Sequence, residues 1–212
     1  MTGGAQLDED GWPGPIPYTL SPYLCIEFVN SRFEDHTGTG DVYDRLQLPR
    51  WRAWFASRAG IRIERPPTPE THRDLLSVRA RLRDLLESQA LPDPGAISWI
   101  NRYLAASTPA WQLRRTATGV QLELAWDADW QALIAAVLAS YGQLLEDGRI
   151  ERVRRCANPH CTWLFYDESH NASRRWCDPH RCGNLVGVRA YRERSRARSR
   201  SPHAPAAEHQ TP

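Results

Sequence analysis

The chain contains no lysine, so every formally charged basic side chain among its 212 residues is arginine. The plain reading of that absence is a GC-rich coding bias. It excludes nothing about function, but the placement of the arginines is informative. No stretch approaches the roughly 18 apolar residues of a membrane span, and residues 1–10 are polar and acidic, without the apolar centre of a signal peptide. The expected compartment is therefore cytoplasmic, with no membrane partner. Residues 23–148 lack a glycine-rich phosphate loop, a nucleophile elbow and a histidine–carboxylate motif. No catalytic residue is assigned, and an enzyme is the weakest reading. His36 and His72 stand isolated and are expected at the surface.

What is present is unevenly spread. The net charge of +2 hides an acidic body and a basic end. Residues 1–148 hold 14 Arg against 19 acidic residues; residues 149–200 hold 13 Arg against 5. Such a segment points to a polyanionic partner. Hydrophobic content of 41% supports a packed core, while a mean hydropathy of -0.59 leaves much of the chain facing water. The nine Trp could line a pocket for a small-molecule effector, but core packing is the better reading.

Residues 1–22 are rich in Gly and Pro and read as a flexible lead-in. The apolar run from Leu24 to Val29 is either a buried strand or one turn of helix, because length cannot decide. Pro49 opens a helix with Trp51, Trp54 and Phe55 on one face and Gly60 past its end. Thr68 or Thr71 caps a helix striped by Leu75, Val78, Leu82, Leu85 and Leu86. Another follows Pro94, with Ile97, Ile100 and Leu104 at similar spacing. Trp111 to Trp126 reads as a hairpin turning at Thr118-Gly119, with Leu113 leading in and Val120, Leu122 and Leu124 alternating. The longest apolar face begins after Asp127 as cap, runs from Trp130 to Leu145, and is placed to end at Gly148. Residues 201–212, rich in Pro, Ala and His, read as a disordered tail.

Cys156 and Cys161 are separated by four residues, as are Cys177 and Cys182, with fifteen between the pairs. Two such knuckles can supply four thiolates to one tetrahedral zinc ion. A segment so dense in Arg cannot build a sufficient core without a metal. Two disulfides or an iron–sulfur cluster are the alternatives; a reducing cytosol disfavours the first. A closed four-sulfur site leaves no open position for substrate, so the zinc is structural. His160 and His180 sit inside the knuckles as weaker candidate ligands, and Cys25, alone in its apolar run, reads as a buried structural thiol.

From Gly183 to Arg200 no proline interrupts a helix, on which Leu185 and Val188 can pack on the zinc core while an arginine face stays wet. A helix launched from a zinc site in this way can enter a DNA major groove. The candidate nucleic-acid contacts are Arg174, Arg175, Asn184, Arg189, Arg192, Arg194 and Arg196.

The strings RRCANPHCTWLFYD (154–167), NASRRWC (171–177) and CGN (182–184) closely resemble the CGNR zinc-finger family. Upstream, LCIEFVN (24–30), WFA (54–56) with Ala59-Gly60, and VRARLR (78–83) are similar to the alpha-beta ABATE domain that accompanies that finger. The resemblance implies a stress-induced bacterial transcription regulator, with zinc on the four cysteines and DNA held by the segment around Cys182. One position departs from the pattern. Leu185 stands where the name spells arginine, and Gly187 stands where a basic residue usually follows.

The expected fold class is α+β: a mostly helical N-terminal domain with a small β-hairpin, over 23–148, then a four-cysteine zinc module over 149–200 that ends in a basic helix. The N-terminal core is expected to be separate from the zinc module. The expected function is transcription regulation through DNA, with sensing or assembly by residues 23–148. That leaves room for an effector and a homodimer. A zinc-stapled protein-interaction module and an RNA-binding protein are the alternatives.

Overall fold

The computed structural model describes residues 21–200. Most of the expected lead-in and the whole of the expected tail lie outside the described residues. The architecture is α+β, with helices carrying the core and three separate two-stranded antiparallel sheets among the described residues.

The ambiguous run resolves as a short helix, α1 (Leu24–Val29). Every residue from Cys25 to Val29 is buried, so neither a helical nor a strand period is visible there. Strands β1 (Arg32–Glu34) and β2 (Val42–Asp44) follow. Pro49 occupies the first turn of α2 (Pro49–Arg58), and Gly60, at φ +73°, lies past its end. In α3 (Pro69–Ser88) Thr68 is the cap, accepting from the Thr71 N–H at 3.2 Å. Asp93 caps α4 (Pro94–Ala106) by accepting from the Ala96 N–H at 2.7 Å.

Two expectations are corrected along this stretch. The buried face of α4 is Ala96, Trp99 and Ile100, while Ile97 points outward. The cap of α5 (Trp130–Glu146) is Asp129, which accepts from the Ala132 N–H at 2.7 Å, and not Asp127. A cap must sit within reach of the first free N–H groups, and only Asp129 does.

Helix α5 is the central element. It is buried from Ala132 to Leu138 and again at Tyr141 and Leu144, and it packs on α1 and α4. Strands β3 (Ala110–Thr116) and β4 (Gly119–Ala125) form the expected hairpin, closed at the Thr116–Gly119 pair. Its Trp111, Leu113, Val120 and Leu122 do not enter the core, because all four are exposed.

The zinc-finger segment is not a separate body. Strands β5 (Val153–Arg155) and β6 (Leu164–Tyr166) send Val153 and Leu164 into the same cluster as Ile26, Phe28, Leu82 and Leu138. Asn30, 1% exposed, ties both backbone groups of Leu164: its Nδ2 donates to the carbonyl at 2.7 Å, and its Oδ1 accepts the N–H at 2.9 Å. Arg83 reaches from α3 to the carbonyls of Thr162 and Val29. Gln89, the left-handed residue that ends α3, donates to the Val153 carbonyl. The expectation of a separate N-terminal core is therefore corrected. Side chains more than 100 residues apart in the chain, such as Asn30 and Leu164 at a separation of 134, share one interior, and local sequence patterns carry no record of that pairing.

Candidate metal centre

The first knuckle grows out of the β5–β6 pair. The Cys156 N–H donates to the Trp163 carbonyl at 2.9 Å, and the Cys161 N–H donates to the Asn158 carbonyl at 2.9 Å. The second begins at Cys177, whose N–H donates to Cys156 Sγ at 3.5 Å. It ends in a single π turn over Pro179–Gly183, which Asp178 caps from below, and this turn carries Cys182. Helix α6 (Asn184–Arg200) then leaves directly from the fourth cysteine.

The four sulfurs lie within 4.8 Å of one another, and all four cysteines are buried. Cys161 and Cys177 are 3.8 Å apart, Cys177 and Cys182 3.6 Å. A tetrahedron of sulfurs at the zinc–thiolate bond length has edges of about 3.8 Å. The donor set and its dimensions therefore fit one structural zinc ion. None of the cysteines is in a disulfide. The sulfurs also polarise one another. Hydrogen bonds led by that from Cys161 hold the Cys156 thiol far below its ordinary value, while the bond with Cys156 pushes Cys161 and Cys177 up. A divalent cation lets all four shed their protons together.

Among the described residues, neither His160 nor His180 joins this sulfur cluster. His36 and His72 are half-buried rather than at the open surface. Cys25 is fully buried beneath α5, and burial pushes its thiol up to about 12, as suits an inert core residue. Trp51, Trp99 and Trp163 are buried as core packing requires, whereas Trp111 is 69% exposed.

The loop between β1 and β2 grips the finger, which sequence reading did not find. Asn158, 1% exposed, donates to the His36 carbonyl at 2.9 Å and to Cys182 Sγ at 3.5 Å. Phe33 packs edge-on to Trp163, 5.5 Å between ring centres. Gly38, at φ +85°, lies flat against the His160 ring; a Cβ there would sit 3.0 Å from it. Gly38→Ala therefore meets both backbone strain and the imidazole. Its expected cost is about 1–3 kcal/mol, read as a lower denaturation midpoint with zinc content unchanged. An unaltered midpoint would show that the loop does not hold the finger.

The candidate contacts divide into two groups. Arg174 is turned inward: its Nε donates to the Trp176 carbonyl at 2.8 Å, its Nη2 to that of Cys177, and it lies over the Phe165 ring at 4.9 Å. Arg189 donates to the Thr37 carbonyl of the β1–β2 loop. Arg175, Asn184, Arg192, Arg194 and Arg196 are exposed. Leu185 is half-buried, but Val188 is 47% exposed and so does not pack into the zinc core as expected. Asp167, fully buried behind the second knuckle, is pushed up by burial, but hydrogen bonds from Ser169 and the Arg174 N–H, with the Arg154 charge, hold it below its usual value.

Among the described residues no helix is long and apolar enough to cross a membrane. No curated protein matches the chain. Among protein families, residues 152–195 match the CGNR zinc finger. Residues 23–148 match ABATE, whose description reads "Putative stress-induced transcription regulator". With more than half of its length inside that match and four cysteines clustered inside the other, the chain belongs to the ABATE family and carries a CGNR zinc finger with one structural zinc site.

Proposed function

We propose that this protein regulates transcription by binding duplex DNA through α6 and the second zinc knuckle. The observation that carries the reading is the outward face of α6. Its first turns touch the body on one side, where Leu185, Arg189 and Ala190 are partly buried. The opposite side presents Asn184, Gly187, Tyr191, Arg194 and Arg198 in a row at helical spacing, all exposed. Arg175, 5.1 Å over the Trp176 ring, flanks the start of that row. A helix of 17 residues spans about 25 Å, enough to lie along a major groove while arginines at its sides meet phosphate. Closed four-sulfur zinc has no open position, which fits a stapling role and not a catalytic one.

The arginines of the finger then have two jobs. Arg175, Arg194 and Arg198 are the contacts to nucleic acid on the outward face, with Asn184 at the helix start; Arg192 and Arg196, exposed further along the side of α6 that carries Arg189, meet phosphate at the helix edge. Arg174 and Arg189 hold the knuckle and α6 in place.

Position 187 offers the clearest test. A Cβ on Gly187 meets open space, so Gly187→Arg adds a charge to the outward face without a clash and favours helix. One added phosphate contact steepens the slope of log K against log[salt] by about 0.9. Gly187→Arg is expected to tighten duplex binding at low salt and steepen that slope by about one unit, and Arg194→Ala to flatten it by as much. Fluorescence anisotropy on the full zinc-loaded chain, with fragments selected from genomic DNA, measures both. Slopes that ignore both substitutions would remove α6 from the interface. Preference for single-stranded RNA over duplex DNA would transfer the role to RNA.

A further inference from the structure

Asn158 lies between the two cysteines of the first knuckle and is 1% exposed. A buried primary amide has two N–H donors and one oxygen to satisfy, and all of them are engaged here. One Nδ2 hydrogen goes to the His36 carbonyl at 2.9 Å and the other to Cys182 Sγ at 3.5 Å, while Oδ1 accepts from the His160 N–H at 3.2 Å. The reverse orientation would aim the amide oxygen at a carbonyl and a sulfur, two acceptors, so the partners fix which way the group points. The Asn158 carbonyl accepts in turn from the Cys161 N–H at 2.9 Å. A single residue thus touches both knuckles and the β1–β2 loop.

We propose that Asn158 is a positioning residue of the zinc site, which sets the Cys182 thiolate and ties it to the N-terminal body. Four thiolates on one divalent zinc ion leave a net charge of about −2 in a buried site. Such charge is costly away from water unless N–H groups point at it. Among the described residues the backbone N–H of Cys177 donates to Cys156 Sγ, and the side-chain amide of Asn158 donates to Cys182 Sγ. The first bond comes with the path of the chain, whereas the second depends on the side chain at position 158. A hydrogen bond to a thiolate draws electron density from the sulfur, and groups that hold a ligand from outside the metal's own shell orient it and strengthen metal binding. The other hydrogen of the same amide reaches the carbonyl of His36, so the ligand from which α6 departs and the β1–β2 loop are held by one group. The role is independent of DNA binding.

Three metals, each loaded into the full chain, test it. Competition with a chromophoric chelator is expected to show zinc held about 10–100-fold more weakly in Asn158→Ala and Asn158→Asp than in the native chain. With cobalt in place of zinc, the sulfur-to-metal charge-transfer band of Asn158→Ala is expected at longer wavelength, because a sulfur without its donor gives up electrons more easily. Thr162→Val removes only the oxygen that accepts from the Glu34 N–H and is expected to leave both readings at their native values. With an NMR-active cadmium isotope, the native chain is expected to show scalar coupling between the metal and the side-chain amide protons of Asn158, transmitted through Cys182 Sγ. That measurement needs no variant, so it decides the matter even where position 158 does not tolerate substitution. Absence of the coupling overturns the proposal. So does a charge-transfer band that stays in place when Asn158 is replaced, since a weaker zinc affinity would then reflect only the lost contact with the loop.

Discussion

Stripping zinc from the full chain is expected to unfold the N-terminal body together with the finger, in one transition. Zinc contributes on the order of 10–16 kcal/mol to the folding of small finger modules, while whole domains are stable by about 5–15 kcal/mol. The finger is also part of the interior. Without folded β5 and β6, the seats of Val153 and Leu164 open among Ile26, Phe28 and Leu82. The amide of Asn30 loses both of its partners on Leu164, and Arg83 loses the Thr162 carbonyl. Each buried group left unpaired costs about 1–3 kcal/mol. Chelation, or Cys161→Ser, should therefore abolish the cooperative melt followed by both far-ultraviolet dichroism and tryptophan fluorescence. A truncated chain of residues 1–148 should show the same loss. The idea would be falsified if the body kept its melting temperature after zinc had been removed.

The second large effect is expected one helical turn from Arg83, beside the same core. Arg79 is buried on α3, and its two terminal nitrogens each donate to a separate oxygen of Asp44 at 2.6 Å, with Ser31 Oγ accepting a further bond at 2.9 Å. Asp44 also accepts from the Leu46 N–H at 3.1 Å, starting the turn that leads into α2. Asp44→Ala strands a guanidinium in the interior and is expected to destabilise the protein by about 3–5 kcal/mol. That corresponds to a fall in melting temperature of roughly 10 °C for a chain of this size. Replacing both partners, Arg79→Met with Asp44→Leu, should recover most of the loss, because no charge is left without a partner. A drop in stability below about 1 kcal/mol in the single variant would mean that water reaches Arg79 and satisfies it.

These two expectations mark the limit of what the sequence shows. The zinc ligands were legible because Cys156, Cys161, Cys177 and Cys182 stand at spacings that make two local loops, and the metal needs little else. Helices α2, α3 and α5 and the β3–β4 hairpin were legible for the same reason: Pro49, Thr68, Gly148 and a tight turn, found at Ala117-Thr118, one residue before the expected Thr118-Gly119, act on their own neighbours. The basic end of the chain was visible as a charge count.

The tertiary structure decided what each exposed or apolar residue is for. Arg174 and Arg189 look like phosphate contacts in sequence, yet one is folded back onto its own knuckle and the other is held by the Thr37 carbonyl. Val120 and Leu122 alternate as a core strand would, yet their hairpin stands clear of the core. Asn30 and Leu164 give no sign of each other across 134 residues. Spacing and capping are set within a few residues and can be read from the chain. Burial and long-range pairing depend on which surfaces meet after folding, and a linear pattern does not encode that until the elements are in place.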